Sequence, residues 1–557
     1  MYKIRGEKMK EYTPKLFDVL KNYNAKQFTK DVISGIIVAI IALPLSIALA
    51  LASGVGPEQG IYTAIFAGFV IALLGGSRVQ IAGPTAAFAT IVAGIVAKNG
   101  MGGLVVATIM AGIILILMGI FKFGNLIKFI PYTITTGFTF GIAVTILIGQ
   151  IKDFFGMKYL VEEAPIETLE KVEALIKSVS TVNVQALIVG VVCLAILIVW
   201  PKITEVVPGS LIAVIVGIIM VKALKMDVLT IGDLYTISNK LPGFTVPAFD
   251  FATVRALLPD AFTIAVLAGI ESLLSCVVAD GMIGSRHKPN AELIAQGAGN
   301  LVSALFGGIP ATGAIARTAA NIKSGGRTPV AGMVHSITLL IILVVLMPYA
   351  AWIPMPAIAA ILFMVAYNMS GWREFVHLCK CSPKSDILVL VVTFVLTVVF
   401  DLVVAIEVGI IMAAFLFLKR MSEVTEVKSW EYIDENYDEA NDPMALSLRA
   451  VPKGVLVYEI NGPMFFAAAD KFMQISTTKD IKAVILRMRG VPAIDISALR
   501  SLEKIQDLCE KNEVRLILSH VNEQPMSVMK KDGFDVKIGE ANFAAHIDDA
   551  LAMVEAM

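Results

Sequence analysis

Residues 307–326 read GGIPATGAIARTAANIKSGG, and this stretch decides the fold. It lies among long apolar segments, yet it is rich in glycine, interrupted by Pro310 and more polar than a helix that faces lipid. Backbone that leaves helical form at membrane depth is tolerated only where it is buried in protein or lines a water-filled cavity, because unpaired amides in hydrocarbon cost several kcal/mol. The stretch therefore predicts part of a binding site within a membrane.

The composition places the chain among polytopic membrane proteins. Of its 557 residues, 57% are hydrophobic and 17% are charged, whereas soluble domains average roughly half and a quarter. The first apolar run begins near Val32 and is long enough to span a bilayer, so we expect no cleavable signal peptide. The closest cysteines, Cys379 and Cys381, lack the further ligands that would complete a zinc site, so we expect no metal and no cofactor.

Apolar runs predict about fourteen membrane spans. They lie near residues 32–52, 60–76, 84–97, 102–121, 129–151, 184–202, 207–224, 258–281, 292–306, 312–324, 328–347, 353–370, 385–401 and 402–420. The runs that begin at Pro84 and Thr312 are shorter than the roughly 20 residues of a full span, and each follows a glycine-rich break. Short, interrupted segments in matching halves are typical of a transporter binding site.

The two halves of the membrane region resemble each other. Residues 67–76 align with residues 299–308 at an offset of 299 − 67 = 232. The breaks Gly83-Pro84-Thr85 and Pro310-Ala311-Thr312 keep nearly the same offset, 312 − 85 = 227. A duplicated unit of about seven spans explains both matches. Because seven is odd, we expect the second copy to be inverted in the membrane.

Loop charge predicts the orientation, since Lys and Arg concentrate in cytoplasmic loops. The loops that follow the even-numbered spans carry basic residues, among them Lys122, Lys202, Arg286, Lys380 and Lys419. The loops after the fifth and seventh spans are acidic instead. We therefore expect a multi-pass protein of the cell membrane with both termini in the cytoplasm.

Beyond Lys419 the hydropathy changes to that of a soluble domain. Strand-like runs at 454–460, 483–489 and 514–520 alternate with helical patterns at 496–511 and near 544–555, which predicts an α/β layer domain. The predicted organisation is a cytoplasmic segment 1–30, a transmembrane domain 31–420 with repeats of about 31–224 and 258–420, a linker 421–444 and an α/β domain 445–557.

The opening stretch and its counterpart predict an anion site. A helix that starts at about Thr312 would present free amides and a positive dipole end to the break. In an inverted repeat, the helix that starts near Pro84-Thr85 approaches the same point from the opposite side. Arg317, about one and a half turns into the second half-helix, adds a full positive charge. The alternative is that Arg317 snorkels to the interface and that the small residues only permit close packing.

Glu271 is the single carboxylate of the apolar run from Ala261 to Ala279. A charge at that depth is costly, and intramembrane carboxylates mark ion pathways. With Ser275 one turn later, Glu271 would carry a proton or hold a sodium ion, and a purely structural ion pair with Arg317 is the alternative. No Ser-His-Asp order, phosphate-binding loop or ligand cluster can be assembled, so we expect no enzyme.

At these residues the chain resembles the sulfate permease (SulP) family of anion transporters. The resemblance is carried by Pro44 with residues 57–62 (PEQGIY), by Gly83-Pro84-Thr85, by residues 268–272 (AGIES) and above all by residues 317–328 (RTAANIKSGGRT). The C-terminal region resembles a STAS domain through residues 484–487 (VILR) and 494–499 (IDISAL).

The resemblance implies fourteen spans in two inverted seven-span repeats, which form a core and a gate domain, and it implies a homodimer. It also implies that the anion lies between the two half-helices. The implied lining and coupling positions are Leu45, Leu49, Thr85, Glu271, Ser275, Thr312, Gly313, Ala314, Ala316 and Arg317.

Two further implications concern coupling and regulation. Glu271 matches the acidic position associated with proton coupling in bacterial members, whereas sodium-coupled bicarbonate relatives have an Asp with a Thr one turn later. Ser497 resembles the phosphorylated serine of related STAS proteins, although Ile496 and Ala498 depart from the usual Asp-Ser-Ser-Gly. In a transporter, the STAS domain is expected to serve as a dimer contact and regulatory platform.

We therefore expect a secondary active anion transporter of the sulfate, bicarbonate or dicarboxylate class, coupled to protons and working by elevator-type movement of the core. A sodium-dependent bicarbonate transporter is the alternative within transport. An anion-responsive membrane sensor or scaffold that signals through the STAS domain is the alternative outside it. The expected partners are a small anion, the lipid bilayer and a second copy of the chain, and not nucleic acid.

Overall fold

The computed structural model describes residues 11–21, 23–125, 131–161, 165, 167–204, 208–235, 237, 241–247, 250–400, 402–430, 451–452, 454–468 and 481–556. Residues 1–10 of the predicted N-terminal segment and residues 431–450, which include most of the predicted linker, lie outside this set. The chain divides into two compact units between Ile410 and Ile411.

The first unit is helical, and each predicted apolar run contains described residues that form a helix. In chain order, the helices up to the middle of the chain are α1 (Lys15–Leu20), α2 (Ala25–Ala52), α3 (Pro57–Leu74), α4 (Ala89–Ile120), α5 (Tyr132–Phe154), α6 (Thr168–Lys177), α7 (Val184–Val199), α8 (Gly209–Ala223) and α9 (Ile231–Leu234). The following helices are α10 (Phe251–Ile283), α11 (Pro289–Leu305), α12 (Ile315–Lys323), α13 (Pro329–Ala350), α14 (Met355–Ser370), α15 (Trp372–Cys381), α16 (Lys384–Val399) and α17 (Leu402–Val424).

Length and apolarity identify the helices that suit a bilayer. Within the described ranges, eight helical stretches are long and apolar enough to cross a membrane, and α8 is a shorter apolar helix. The third and fourth predicted spans are joined in α4, whose backbone leaves helical geometry at Gly100 (φ 66°, ψ −174°). The half-helix α12 has only nine residues, which agrees with an interrupted segment that does not cross the membrane alone.

The two half-helices start differently from each other. The first begins with a single 3₁₀ turn at Ala86–Phe88, with Thr85 as its N-cap residue, close to the predicted start. The second does not start at Thr312, because residues Thr312–Gly313 form a short strand, β2, and the helix begins at Ile315. Arg317 is therefore the third residue of α12 and lies in its first turn, and the predicted position one and a half turns in was wrong.

Strand pairing explains that difference. Residues Ala82–Gly83 form β1, which pairs antiparallel with β2, so the backbone of β2 is satisfied by a strand partner and not by a helical turn. Thr85 and Ala314 are each the N-cap residue of a half-helix, at an offset of 314 − 85 = 229. The sequence alignment that matched Thr85 with Thr312 is thus shifted by two residues.

The packing of the helices fits two related repeats, which stay a prediction. In the first repeat, α2 packs on α13 of the second repeat. The matching helix of the second repeat, α10, packs on α4 of the first repeat. A second bundle also combines helices of both repeats. Helix α5 of the first repeat packs on α14 and α16 of the second, and α14 packs on α7 of the first. The antiparallel pairing of β1 with β2 fits an inverted relation between the repeats.

The second unit contains an α/β domain. Its sheet has the order β3 (Glu426–Trp430), β4 (Val455–Asn461), β5 (Ala483–Gly490), β6 (Arg515–Ser519) and β7 (Phe543–Ala544), with β3 antiparallel to β4 and the others parallel. The helices are α18 (Ile496–Lys511), α19 (Glu523–Asp532), α20 (Phe534–Ile538) and α21 (Ile547–Glu555). The predicted strands and α18 are confirmed, and β3 lies inside residues 421–444, where a linker is predicted.

Candidate anion site

The candidate site lies where the two half-helices begin, on either side of the β1–β2 pair. The amide of Ala314, which is buried, donates to the Ile81 carbonyl at 2.9 Å and extends the pairing to the start of α12. The first hydrogen bond of α12 runs from the Thr318 amide to the Ala314 carbonyl, also at 2.9 Å. The amides of Ile315 and Ala316 therefore precede the helical ladder, and such first-turn donors are available to a ligand, a side chain or water.

The first half-helix presents its own end to the same strand pair. The side chain of its N-cap residue, Thr85, makes no capping hydrogen bond. The Phe88 amide donates to the Thr85 carbonyl at 3.3 Å, so the amides of Ala86 and Ala87 come before the first helical bond. Two positive helix ends are thus joined by β1 and β2, and helix ends of this polarity attract anions.

Arg317 connects the two half-helices from inside the protein. Its side chain is only 2% exposed, and its Nη2 donates to the Pro84 carbonyl at the start of the first half-helix. A Cβ placed on Gly83 would lie 2.5 Å from Nη1, so the missing side chain at Gly83 makes room for the guanidinium. This burial excludes the alternative in which Arg317 snorkels to an interface.

The guanidinium keeps unused hydrogen-bonding capacity. Arg317 Nε and Nη1 have no hydrogen-bond partner among the described residues. Buried polar groups in native proteins are almost always paired, with protein, water or a ligand. Because arginine offers donors in a planar fork that matches oxyanions, the two unpaired nitrogens indicate an acceptor that the chain itself does not supply.

Glu271 lies half-buried on α10 beside the first half-helix. The Thr85 hydroxyl donates to Glu271 Oε2 at 2.8 Å. The ion pairs found among the described residues do not include one between Glu271 and Arg317 within 4.0 Å, so the purely structural ion pair is not formed. The two charges still interact at longer range. The structure therefore brings Thr85, Glu271 and Arg317 together without neutralising the carboxylate by direct contact.

Three other predicted lining residues belong to β2 and to the first turn of α12. The Thr312 hydroxyl is buried and donates to the Ala268 carbonyl of α10 at 2.9 Å. A Cβ placed on Gly313 would collide with the side chain of Gln80, so glycine allows that side chain to pass. Ala316 is exposed in the first turn of α12. Thr312 and Gly313 thus fix the strand pair, while Ala316 lies on an accessible surface of the half-helix.

The remaining predicted residues lie on the helices beside the half-helices. Ser275, one turn after Glu271, is buried, and its hydroxyl lies 3.5 Å from the Thr318 hydroxyl of α12. On α2, Leu49 is 2% exposed and Leu45 is half-buried. The place of all three residues in an anion site stays a prediction.

A fully buried carboxylate that the sequence pattern does not reveal, Glu292, lies in the first turn of α11. A carboxylate at a helix start is an ordinary feature of exposed helices, yet this side chain is fully buried. Its Oε2 accepts from the amides of Gly76 and Ser77 at 2.8 and 3.2 Å, in the turn that leads from α3 to β1. Glu292 therefore anchors the backbone that carries the first half-helix.

The other oxygen of Glu292 connects this anchor to α10. Glu292 Oε1 accepts from the side-chain amides of Gln80 and Gln296 at 2.9 and 3.0 Å. Gln80 also donates to the Ser272 hydroxyl at 2.6 Å and accepts from the Cys276 thiol at 2.6 Å. Since Ser272 follows Glu271 directly, the network holds β1 against the helix that carries the coupling candidate.

A second fully buried carboxylate, Asp31, fixes the far end of α12. It accepts from the Tyr23 hydroxyl and the Gln27 amide at 3.0 Å each, from the Arg327 backbone amide at 2.9 Å and from the Thr328 hydroxyl at 2.5 Å. Burial raises the pKa of Tyr23 to about 12, so this hydroxyl stays protonated and remains a donor at neutral pH. Asp31 thus ties the start of α2 to the loop after the second half-helix.

In the α/β unit, Ser497 is the exposed second residue of α18. The helix is capped by Asp495, whose Oδ1 accepts from the Ala498 amide at 2.8 Å. The regulatory role of Ser497 stays a prediction.

Two half-helices that meet at a strand pair inside a helical bundle define the class of inverted-repeat membrane transporters. A family model described as the sulfate permease family matches residues 28–393, and a STAS domain model matches residues 449–550. The chain belongs to the sulfate permease family. It is therefore a member of a transporter family and not an enzyme, as the sequence predicts.

Individual relatives and solved structures agree with this membership. The chain is 39% identical to the putative sulfate transporter YvdB of Bacillus subtilis over 95% of this chain and 98% of YvdB. It is 31% identical to the bicarbonate transporter BicA of Picosynechococcus sp. over 86% of this chain and 87% of BicA. The structure matches that of SLC26A9 with a TM-score of 0.88 at 19% identity, and the match covers 100% of this chain and 94% of the SLC26A9 chain. It matches the transmembrane domain of a cyanobacterial BicA with a TM-score of 0.60 at 29% identity, over 70% of this chain and 98% of that domain.

These findings confirm the predicted fold class, a polytopic helical membrane protein with an SLC26A9-like fold and a C-terminal α/β STAS domain. They also show an anion transporter of the sulfate permease family.

Proposed function

We propose that this transporter is a proton-coupled anion symporter that binds its substrate between the two half-helices. The observation that carries the proposal is the buried guanidinium of Arg317, which bonds to the Pro84 carbonyl and leaves Nε and Nη1 unpaired among the described residues. The first-turn amides of both half-helices lie beside it. Together these donors suit a small oxyanion, because charge-assisted hydrogen bonds from arginine and from helix starts are directed at the same kind of acceptor.

The substrate class follows from the size and polarity of these donors. Sulfate, bicarbonate and a C4-dicarboxylate all present carboxylate-like or tetrahedral oxygens to such a site. The relatives support the first two, since YvdB is named a putative sulfate transporter and BicA a bicarbonate transporter. A binding screen of the purified protein across these anions and chloride would identify the substrate.

Proton coupling follows from the position of Glu271. An anion between the half-helices and an ionised Glu271 are like charges near each other, and like charges disfavour simultaneous ionisation. A proton on Glu271 removes that repulsion, so anion binding favours proton uptake and the reverse holds by linkage. In the structure, Oε2 of Glu271 accepts a hydrogen bond from the Thr85 hydroxyl.

Sodium-dependent bicarbonate transport is the second candidate, and the resemblance to BicA, which is named a bicarbonate transporter, supports the bicarbonate part of it. A sodium site built on Glu271 would use the hydroxyls of Thr85 and Ser275. The Ser275 hydroxyl, however, faces the Thr318 hydroxyl at 3.5 Å. Uptake that is lost when sodium is replaced by potassium, at constant pH, would favour this candidate over the proton.

The test of proton coupling uses the full chain reconstituted in liposomes. We expect labelled sulfate or bicarbonate uptake by the wild type to rise several-fold under an inward proton gradient. The variant Glu271→Gln should take up the anion without responding to the gradient, because its side chain cannot exchange a proton. Glu407→Gln is the matched control, since Glu407 is an exposed carboxylate on α17, and it should keep the full response.

A Glu271→Gln variant that still responds fully to the proton gradient would contradict the assignment. Anion binding without any flux by the wild type would instead favour the sensor or scaffold that signals through the STAS domain.

The proposal includes an assembly and a mechanism that follow from the family resemblance. We expect a homodimer with both termini in the cytoplasm, in which the bundle of α2–α4 and α10–α13 moves against the bundle of α5, α7, α8, α14 and α16. Cross-linking in native membranes measures the dimer, and protease protection of the two termini measures the orientation.

A further inference from the structure

A short segment that precedes α2 lies against the ends of several other helices. Residues 11–20, here called the N-terminal strap, contain α1, and within the described residues they hydrogen-bond to the end of α3, the end of α4 and the loop between α10 and α11. Leu16 is the buried apolar anchor of the strap, at 6% exposure. All of these helix ends follow even-numbered predicted spans, so the strap lies on the cytoplasmic side in the predicted orientation.

The first part of the strap joins the end of α4 to the start of α11. Glu11 Oε2 accepts from Lys122 Nζ at 2.9 Å, and Glu11 Oε1 accepts from the side-chain amide of Asn290 at 2.6 Å. The Tyr12 hydroxyl donates to the Ile120 carbonyl at 3.2 Å. The hydrogen bond from Lys122 lowers the pKa of Glu11, so its carboxylate is ionised at neutral pH. Glu11 is therefore a charged bridge between two helices that are far apart in the sequence.

Lys288, the residue before α11, directs its ammonium group at the strap. Its Nζ donates to the Thr13 hydroxyl at 2.9 Å and to the Thr13 carbonyl at 3.1 Å, and it pairs with Asp18 Oδ2 at 2.7 Å. A lysine has three N–H donors, so these three acceptors match its capacity. The Lys288 side chain is only 17% exposed. Release of the strap would therefore leave a partly buried charge without these partners, which is unfavourable.

The strap also holds the turn that leads from α3 to β1. The Lys15 amide donates to the Gly75 carbonyl at 2.9 Å, and the next carbonyl, that of Gly76, accepts from the Lys288 amide at 3.0 Å. A Cβ placed on Gly76 would collide with the Lys288 carbonyl, so the turn and the α10–α11 loop are in direct backbone contact. The strap, this turn and the loop thus form one packed unit.

The same turn is the one that Glu292 anchors below the first half-helix. Two of its backbone amides donate to Glu292. Gln80 then connects Glu292 to Ser272, the residue after Glu271. A continuous hydrogen-bonded path therefore leads from the strap to β1 and to the helix that carries Glu271.

We infer that the N-terminal strap is a cytoplasmic latch that keeps the turn between α3 and β1 in the position that the anion site requires, so that release of the strap weakens anion binding. The inference rests on the proposed anion site and adds to it a means of regulation from the cytoplasm. Polar contacts at partly exposed positions are individually weak, so the strap belongs to the part of the fold that opens at low cost, from which regulatory elements are drawn. Because linkage is reciprocal, the bound anion in turn favours docking of the strap.

The binding test removes the two carboxylates of the latch in the full chain. In Glu11→Ala/Asp18→Ala the apparent dissociation constant for sulfate or bicarbonate should rise about three- to tenfold, because Lys122 and Lys288 lose their partners in the strap. The saturated uptake rate in liposomes should be kept. Glu11→Asp/Asp18→Glu retains both charges and should restore most of the affinity. Lys21→Ala is the matched control, since Lys21 is an exposed residue directly after the strap, and it should bind the anion like the wild type.

Hydrogen exchange measured by mass spectrometry supplies a second readout, which a purely structural role of the strap would not change. The Lys15 amide keeps its hydrogen bond to Gly75 only while the strap is docked. Saturating sulfate or bicarbonate should therefore slow exchange in the wild-type peptide 11–21 by a factor of about two or more. The peptide that covers α18 in the other unit is the internal control and should exchange at the same rate with and without the anion.

The two readouts separate the latch from the proposed function. Normal flux by the wild type, combined with an unchanged affinity of Glu11→Ala/Asp18→Ala or with exchange in peptide 11–21 that does not respond to the anion, overturns the latch and leaves the proposed function intact. If the double variant unfolds early in detergent, the exchange of the wild type decides by itself. Absence of anion binding by the wild type overturns both.

Discussion

The guanidinium of Arg317 is positioned by backbone atoms and by the missing side chain of Gly83. Its Nη2 bonds to the Pro84 carbonyl, and its side chain is 2% exposed. An arginine held by a carboxylate would be neutralised, whereas one held by a carbonyl keeps its full charge for a ligand. In the proposed anion site, this arrangement would supply positive potential without an ion pair that the substrate has to break.

Replacing Gly83 with alanine should displace that guanidinium, because the added methyl group would lie 2.5 Å from Nη1. We expect the affinity of the purified protein for its anion to fall about tenfold or more, since each 1.4 kcal/mol of lost interaction is a factor of about ten. Isothermal titration with sulfate and bicarbonate measures the change. Gly281→Ala is the control, because that position has open space. An unaltered affinity for every anion would remove Arg317 from the site.

At the scale of elements, the strand pair decides where each half-helix starts. The sequence shows the breaks through glycine and proline, but it does not show that β1 and β2 pair across more than two hundred residues. Such a pairing depends on the approach of two distant segments, and local propensity carries no information on it. For this reason the start of α12 lies three residues beyond the predicted one, whereas the start near Thr85 agrees with the prediction.

Glu292 holds these elements together, and its amide variant should weaken them. In Glu292→Gln one oxygen becomes an NH₂ group, so either the amides of Gly76 and Ser77 or the donors on Oε1 lose their acceptor. Leaving a buried donor unsatisfied costs about 1–3 kcal/mol. We expect a lower unfolding temperature in detergent, measured by intrinsic fluorescence.

The exposed control Glu407→Gln should unfold at the wild-type temperature. Equal unfolding temperatures for Glu292→Gln and this control would show that the network around Gln80 does not depend on the carboxylate.

At the scale of the whole molecule, each unit offers a cysteine of different exposure, since Cys381 of the membrane unit is exposed and Cys509 of the STAS unit is buried. Cys509 lies in the apolar core of the STAS sheet, and burial raises the pKa of its thiol to about 11. The thiolate is the reactive form, so at about pH 8 only about one thiol in a thousand can react. We expect iodoacetamide to modify Cys381, which is exposed, at least a hundredfold faster than Cys509, as measured by peptide mass.

Unfolding in concentrated guanidinium chloride should make the two cysteines equally reactive. If Cys509 reacts as fast as Cys381 in the native protein, the predicted packing of α18 against the sheet would be contradicted.

The sequence by itself determined the membrane class, the apolar segments and the paired breaks, and it singled out Glu271 and Arg317 as candidates, because hydropathy, helix interruption and isolated charges are local properties of the chain. Only the tertiary structure decided that Arg317 is bound by the Pro84 carbonyl, that Thr312 and Gly313 form a strand, and that Glu292 is buried. These features depend on contacts between distant segments. A helix-start glutamate has the same sequence pattern in water and in a core, and only the packing around it determines which environment it occupies.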